Sequence, residues 1–433
     1  MQPLTADVWD LLTDLARRPH VKASPSHLEG NPSTMSDAIS RASGSHSTPS
    51  RRAVVSLPAV VGLSLAIGAP QAGAAEQRDR VEPGVELEQV ATFDGAMPTG
   101  VTISRSGRIF VNFPRWGDNV PFSVAEIRDG VPVAYPNAVV NQADLSDPAG
   151  HFLGVQSVVV DAAERLWVVD TGRVEWADAP YGGPKLVAID LKTNRVVRTI
   201  VFPRDIAGPR SFVNDVRFDL RRGYAYLTDA TPDRPNGLIV VHLESGESWR
   251  RLDDVPATLP EPDFVPVIDG VPFLNKPGKA PGTPVGIGVD GIALSPDGTW
   301  LYFCPLSSRK LYAIRTNDLV KRRTSSKRDE LSVHDLGTKG MSDGLEMDQS
   351  GRVYGGDIER RAIVRRDRDG AFRTVVQDDR LLWPDTLSVG YDRNLYVIAN
   401  QLNRQAAYNS GRDLRRKPYV LYRVPIGNGP ARR

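Results

Sequence analysis

The chain has 433 residues, 40% hydrophobic and 24% charged, with a formal net charge of +2. That is the balance of a soluble globular protein, and with no long basic block it argues against nucleic acid as the main partner. The one cysteine, Cys304, excludes an intrachain disulfide and any zinc site built on clustered cysteines.

Residues 1–50 read as a disordered leader: 22–50 are rich in Ser, Pro and Gly and carry no core pattern. Residues 51–74 read as an export signal. Arg51 and Arg52 precede a charge-free apolar run, Ala53 to Ala69, and Ala72-Gly73-Ala74 forms an A-x-A cleavage pattern before Ala75. The paired arginines after Ser50 make it twin-arginine-like. The rival, a membrane anchor, needs at least about 17 apolar residues, and this run is interrupted by Pro58 and glycines. Cleavage leaves no stable anchor and predicts an extracellular or periplasmic protein. Translation from Met35 would put the signal at its usual distance from the N-terminus.

From residue 85 onward alternation replaces helical periodicity. Six two-stranded units recur, beginning at Pro98, Val155, Val213, Val289, Ser342 and Pro384. Each is a strand, a turn and an aromatic-rich strand, as in "VQSVVVDAAERLWVVD" and "PDTLSVGYDRNLYVIAN". A weaker hairpin usually follows, as in "LVAIDLKTNRVVRTI". Four strands per unit, six times over, predict an all-β, six-bladed β-propeller over 75–433. The last unit lacks a strand, and "VELEQVATF" (85–93) is predicted to supply it and close the ring. A β-sandwich leaves the sixfold repetition unexplained. The Pro- and Gly-rich link 255–286 reads as an irregular loop over one face, either a lid or a passive insertion.

Aligned strand heads place Thr99, Gln156, Asn214, Asp290, Asp343 and Asp385 at one position around the axis. The second strands end near Asn112–Trp116, Asp170, Asp229, Asp357 and Asn400 on the same rim. Carboxylates sharing a channel mouth raise one another's proton affinity unless a cation compensates. The alternative for each is a turn or strand cap. Cys304 reads as a buried, inert thiol. His151, His242 and His334 show no metal spacing, and no nucleophile elbow, zincin motif or phosphate loop is present.

The stretches "VNFPRWGD" (111–118), "LWVVDTGR" (166–173), "PKLVAIDLKTNRVVRTIVFP" (184–203), "GIALSPDGTWLYFCPLSSRKLYAI" and "LLWPDTLSV" resemble, in order, the yellow / major royal jelly protein family, as a bacterial-type member. The resemblance implies a secreted six-bladed propeller. It also implies either carriage of a small molecule, such as a biogenic amine, in the central channel or a part in dopachrome conversion. Insect members carry disulfides, which this chain cannot form. A more distant resemblance, to the gluconolactonase / senescence-marker propellers, implies a divalent cation, calcium, held by Asn214 with Asp343 and Asp385. Thr99 stands where that family has a first-blade carboxylate.

Three functions follow. As a binding protein, the channel would take an amine or a catechol-like ring. Asp290, Asp343 and Asp385 would supply negative potential, Gln156, Asn214, Thr99 and Asn400 polar contacts, Trp116 a stacking face and Arg115 a grip on a carboxylate or hydroxyl. As a lactonase, the metal would polarise a carbonyl while Asp343 or Asp385 acts as base. As a dopachrome-type isomerase, a positioned Asp would move the proton. Whether the chain is an enzyme, and its oligomeric state, stay open at this level.

Overall fold

A computed structural model describes residues 81–322 and 330–431. The leader, Met35 and the export signal lie outside the described residues. Six four-stranded antiparallel sheets form where the repeats place them. Their innermost strands are Gly100–Ile103, Val155–Val160, Val213–Asp219, Val289–Leu294, Leu345–Met347 and Pro384–Val389, taken here as blades one to six. Each innermost strand touches that of the next blade, and blade six touches blade one, so the sheets close into a propeller.

Neighbouring blades cover both faces of each sheet, so strands that alternate in sequence are buried on both sides. In blade two, Arg165–Thr171 and Pro184–Asp190 are buried almost throughout, while the outermost strand, Arg195–Val201, is largely exposed. Apolar layers fill the gaps between blades. Trp167 of blade two stacks on Phe218 of blade three with ring centroids 4.8 Å apart. Cys304 is fully buried between blades four and five, as expected of an inert thiol.

At the hairpin ends, buried aspartates tie down the turns. Asp161 accepts the Ala163 and Arg165 amides and the indole N–H of Trp167. Asp348 repeats the device in blade five with Ser350, Arg352 and Tyr354. Each carboxylate satisfies donors that a tight turn leaves unpaired.

The ring closes as the sequence predicts. Glu88–Phe93 pairs antiparallel with Tyr419–Pro425 as the outermost strand of blade six, burying Ala91 and Phe93. The link 255–286 is more regular than an irregular loop. It carries two short hairpins, Val267–Ile268 with Val271–Pro272 and Leu274–Asn275 with Thr283–Pro284. Phe264, Ile268, Phe273 and Val285 pack into one cluster with Met341, Ile358, Trp383 and Leu402. Asp269 adds ion pairs to Arg361 and Arg404 at 2.5 and 3.1 Å. Apolar anchoring, invisible to a turn-residue reading, makes this link a fixed strap on the side where the inner strands begin.

Candidate functional site

Four of the six inner strands are bulged at their heads. One extra residue falls between Val155 and Ser157, between Val213 and Val216, between Val289 and Gly291, and between Pro384 and Leu387, relative to the partner strand. Those intervals contain Gln156, Asn214 and Asp215, Asp290, and Asp385. A bulge leaves a residue outside the ladder and re-aims its side chain. The in–out alternation of a buried strand is therefore suspended where the polar residues stand.

Two glycines draw three of the heads together. A Cβ on Gly291 would lie 2.3 Å from the carbonyl oxygen of Asp343, and one on Gly344 would lie 3.0 Å from that of Asp385. The Gly344 amide donates to that same Asp385 carbonyl at 3.2 Å. Only glycine permits the first approach, and a Cβ at Gly344 would crowd the second. Together the two approaches bring Asp290, Asp343 and Asp385, all buried, into one electrostatic group.

Burial, then the charges of Asp343 and Asp385, drive Asp290 well above the ordinary carboxylate range. Burial, then Asp343, does the same to Asp385. Burial pushes Asp343 up to about 6, against hydrogen bonds from the Trp383 indole (2.8 Å) and the Asp290 carboxyl. A carboxyl-to-carboxyl hydrogen bond requires a shared proton. Asp385 accepts from the Asn400 amide and from Thr386 Oγ1 at 3.3 Å. Burial, then the charge of Asp343, pushes the phenol of Tyr408 up to about 12, which places it beside the cluster. Phe273 of the strap meets Trp383 edge-on at 5.2 Å and Tyr408 at 4.6 Å.

The remaining ring members differ. Gln156 is buried and its Oε1 has no hydrogen-bond partner. Asn214 is buried beside it on blade three. Thr99 turns into the wall: its hydroxyl donates to the Gln156 carbonyl at 3.4 Å and accepts from Asn112 at 2.9 Å. Arg115 is occupied by the carbonyls of Val120 and Asn141 at 2.7 and 2.9 Å, so its Nη groups hold a loop rather than a ligand. Trp116 belongs to a near-parallel aromatic group, 5.5 Å from Trp176, which lies 5.3 Å from Phe212. Phe212 immediately precedes the inner strand of blade three, so the group borders Asn214.

The second-strand ends are structural. Asp170 accepts the amides of Leu153, Gly154 and Gly172 and pairs with the buried Lys185 at 2.7 Å. Asp229 accepts the Phe212 amide and pairs with Arg250. Asn400 joins its own blade to blade one through the Pro98 carbonyl, besides serving Asp385. Replacing Asp170 with Ala strands a buried ammonium. We expect a loss of about 3–5 kcal/mol in urea denaturation; a loss below about 1 kcal/mol would show that the pair is not holding blade two.

Midway along the axis Arg217 forms a strut. It donates to Asp215 Oδ1 (2.8 Å) and the Val216 carbonyl (2.7 Å) on its own blade, and across the channel to the Leu345 carbonyl of blade five. Beyond it a narrow cavity of about 50 Å³, lined by Thr102, Glu346, Thr386 and Ser388, occupies the other end. Arg217 is part of the cavity's lining, and Thr386, which also lines it, reaches the head at Asp385.

Comparison with known proteins fits this architecture. A family model described as Major royal jelly protein matches residues 153–425, more than half of the chain. The chain belongs to the major royal jelly protein family. It is 27% identical over 363 residues to Protein yellow of Drosophila erecta, covering 75% of this chain and 63% of that protein. Protein yellow of Drosophila melanogaster is 26% identical over the same length and shares. The chain therefore spans a little under two thirds of the length of these curated relatives. A crystal structure assigned as a gluconolactonase superposes with a TM-score of 0.50 at 11% identity, over 81% of this chain and 96% of the other, a likeness of fold.

In this major royal jelly family propeller, sequence reasoning missed Asp215, Arg217, Lys339, Trp383 and Tyr408 as neighbours of the head. Asp215 directly follows Asn214, and the pair could have been read as a bulge. Trp383 precedes Pro384 at a strand head, a position open to inspection. Nothing local marks Lys339 or Arg217 as part of the head, since Arg217 reaches across the channel to Leu345 and Lys339 meets Cys304 of blade four.

Proposed function

We propose that the channel head binds a small organic cation bearing an aromatic ring, an amine of the phenethylamine or catecholamine kind. The observation that carries this reading is the meeting of Asp290, Asp343 and Asp385, three buried carboxylates from successive blades. Their mutual repulsion is relieved by a positive ligand. The unpartnered Oε1 of Gln156 can accept one more N–H or O–H. Trp116, Trp176 and Phe212 on one side, and Phe273 and Tyr408 on the other, suit a ring and a cation.

Calorimetric titration of phenethylamine against phenethyl alcohol tests the charge directly. Wild type is expected to bind the amine at least tenfold more tightly. Asp385→Asn is expected to weaken amine binding by roughly 10–100-fold, since a hydrogen bond to a charged group contributes about 1.5–3 kcal/mol, and to leave the alcohol unaffected. Equal binding of amine and alcohol would end the reading.

One observation favours a second reading, proton-transfer catalysis on a dopachrome-like substrate. Asp343, pushed up to about 6 and hydrogen-bonded to Asp290, is poised to give and take a proton near neutral pH. Turnover of a catechol-derived quinone that is lost in Asp343→Asn would establish it. The calcium lactonase reading has less support. Asp343 Oδ2 and Asp385 Oδ2 already accept from Trp383 and Asn400, and Thr99 is turned into the wall. Calcium takes about 6–8 oxygen ligands, and this donor set does not fit one. We also propose export, supported by the signal-like residues 51–74. N-terminal sequencing of secreted protein should begin at Ala75.

A further inference from the structure

The side chain of Lys339 is among the largest that are fully buried in the described residues. Burying an ammonium is costly unless anions compensate. Its Nζ donates to the Gly340 carbonyl at 3.0 Å, a neutral partner. Its other neighbours are the thiol of Cys304 and the carboxylates of Asp357 and Asp343.

The turn that carries it is fixed. The Lys339 and Gly340 amides both donate to the Arg309 carbonyl, at 2.8 and 3.3 Å. Gly340 has φ +110°, and a Cβ there would lie 2.5 Å from the carboxyl carbon of Asp357. The carboxylate of Asp357 therefore packs directly on the turn. Cys304 lies against the next segment, with Sγ 3.9 Å from the Ser342 carbonyl. The ammonium is thus held on the side of the head that carries Asp343.

We propose that Lys339 is the cation this site carries in place of a metal ion: its ammonium offsets the carboxylate cluster at Asp343, so that the head accepts a monovalent ammonium and rejects a divalent cation. Asp290, Asp343 and Asp385 meet at the head, with Asp215 and Asp357 beside them. Arg217 is committed to Asp215 at 2.8 Å and Arg360 lies 3.9 Å from Asp357, which leaves Lys339 as the cation beside Asp343. Burial lowers the proton affinity of Lys339, and Cys304, Asp357 and Asp343 act to restore it. In turn Lys339 is among the groups that hold Asp343 down.

The inference concerns the site of the proposed amine binding, but its test reads a metal probe, so the two can fail separately. Trp383, hydrogen-bonded to Asp343, is placed to sensitise terbium(III) bound at the cluster. In the full chain, wild type is expected to show no saturable tryptophan-sensitised terbium emission that Asp343→Asn removes. Lys339→Met should gain such emission, with affinity raised by at least about tenfold for the loss of one nearby charge. Adding Asp343→Asn to it should abolish the emission, and Lys339→Arg should stay silent like wild type. A wild-type signal lost in Asp343→Asn overturns the proposal, as does a folded Lys339→Met that stays silent. Should Lys339→Met fail to fold, as judged by circular dichroism, the comparison of wild type with Asp343→Asn decides alone.

Discussion

Asp343→Asn is expected to stabilise the chain by roughly 3 kcal/mol at pH 8 and by almost nothing at pH 4. The folded carboxyl binds its proton more tightly than the unfolded one, with its pKa pushed from 3.8 up to about 6 by burial. Its favourable contribution is complete below about pH 4 and is lost as pH rises through about 6, because the native state must then hold a buried charge. A displacement of about two units corresponds to roughly 3 kcal/mol. Asn keeps an acceptor for the Trp383 indole and needs no proton. Urea denaturation of both proteins across pH 4–8 checks this. A variant less stable than wild type at pH 8 would show that the Asp343 charge is fully compensated in the fold. The expected gain marks the cluster as a place where stability is given up for binding, the usual pattern at functional sites.

Phe93→Ala is expected to cost about 3–5 kcal/mol, the usual loss for emptying a buried phenylalanine site. Phe93 is 2% exposed and lies in the strand that closes blade six. Its core includes Val101, Val111 and Phe113 of blade one and Ile398 and Leu421 of blade six, so the cavity opens at the seam of the ring. Removing the chain through Phe93 goes further. It exposes Tyr419–Pro425 as an unpaired edge, and such edges aggregate. Truncated protein should be recovered as aggregate rather than monomer by size exclusion. A soluble truncated monomer of native stability would mean that the ring does not depend on its N-terminal strand.

The ring was legible because its cause is local. Every blade repeats a hairpin whose alternation, turn residues and aromatic second strand can be read from about sixteen residues. The closing strand was legible by subtraction, since the sixth unit was one strand short. The head residues were found by alignment, but their directions were not, because bulges break the alternation at Gln156, Asn214, Asp290 and Asp385. Thr99 aligns with the carboxylates yet faces the wall, held by Asn112 and a carbonyl of the next blade. Arg115 looks like a ligand clamp in sequence but satisfies loop carbonyls within its own blade. Arg217 is held locally by Asp215 and Val216, but its reach to Leu345 and the meeting of Lys339 with Cys304 depend on groups far away in the chain, and no periodicity carries that information. The strap 255–286 was read from its prolines and glycines, while its order comes from four apolar side chains docked on Trp383 and its neighbours.

The central claim is that the carboxylates of blades four, five and six meet a ligand's ammonium at the channel head. A crystal structure of the protein with phenethylamine tests it most directly. The amine nitrogen is expected within hydrogen-bonding distance of Asp343 or Asp385, with the ring against Trp116, Phe212 or Tyr408. An amine bound outside the head, or bound there with its nitrogen turned away from all three aspartates, would contradict the account.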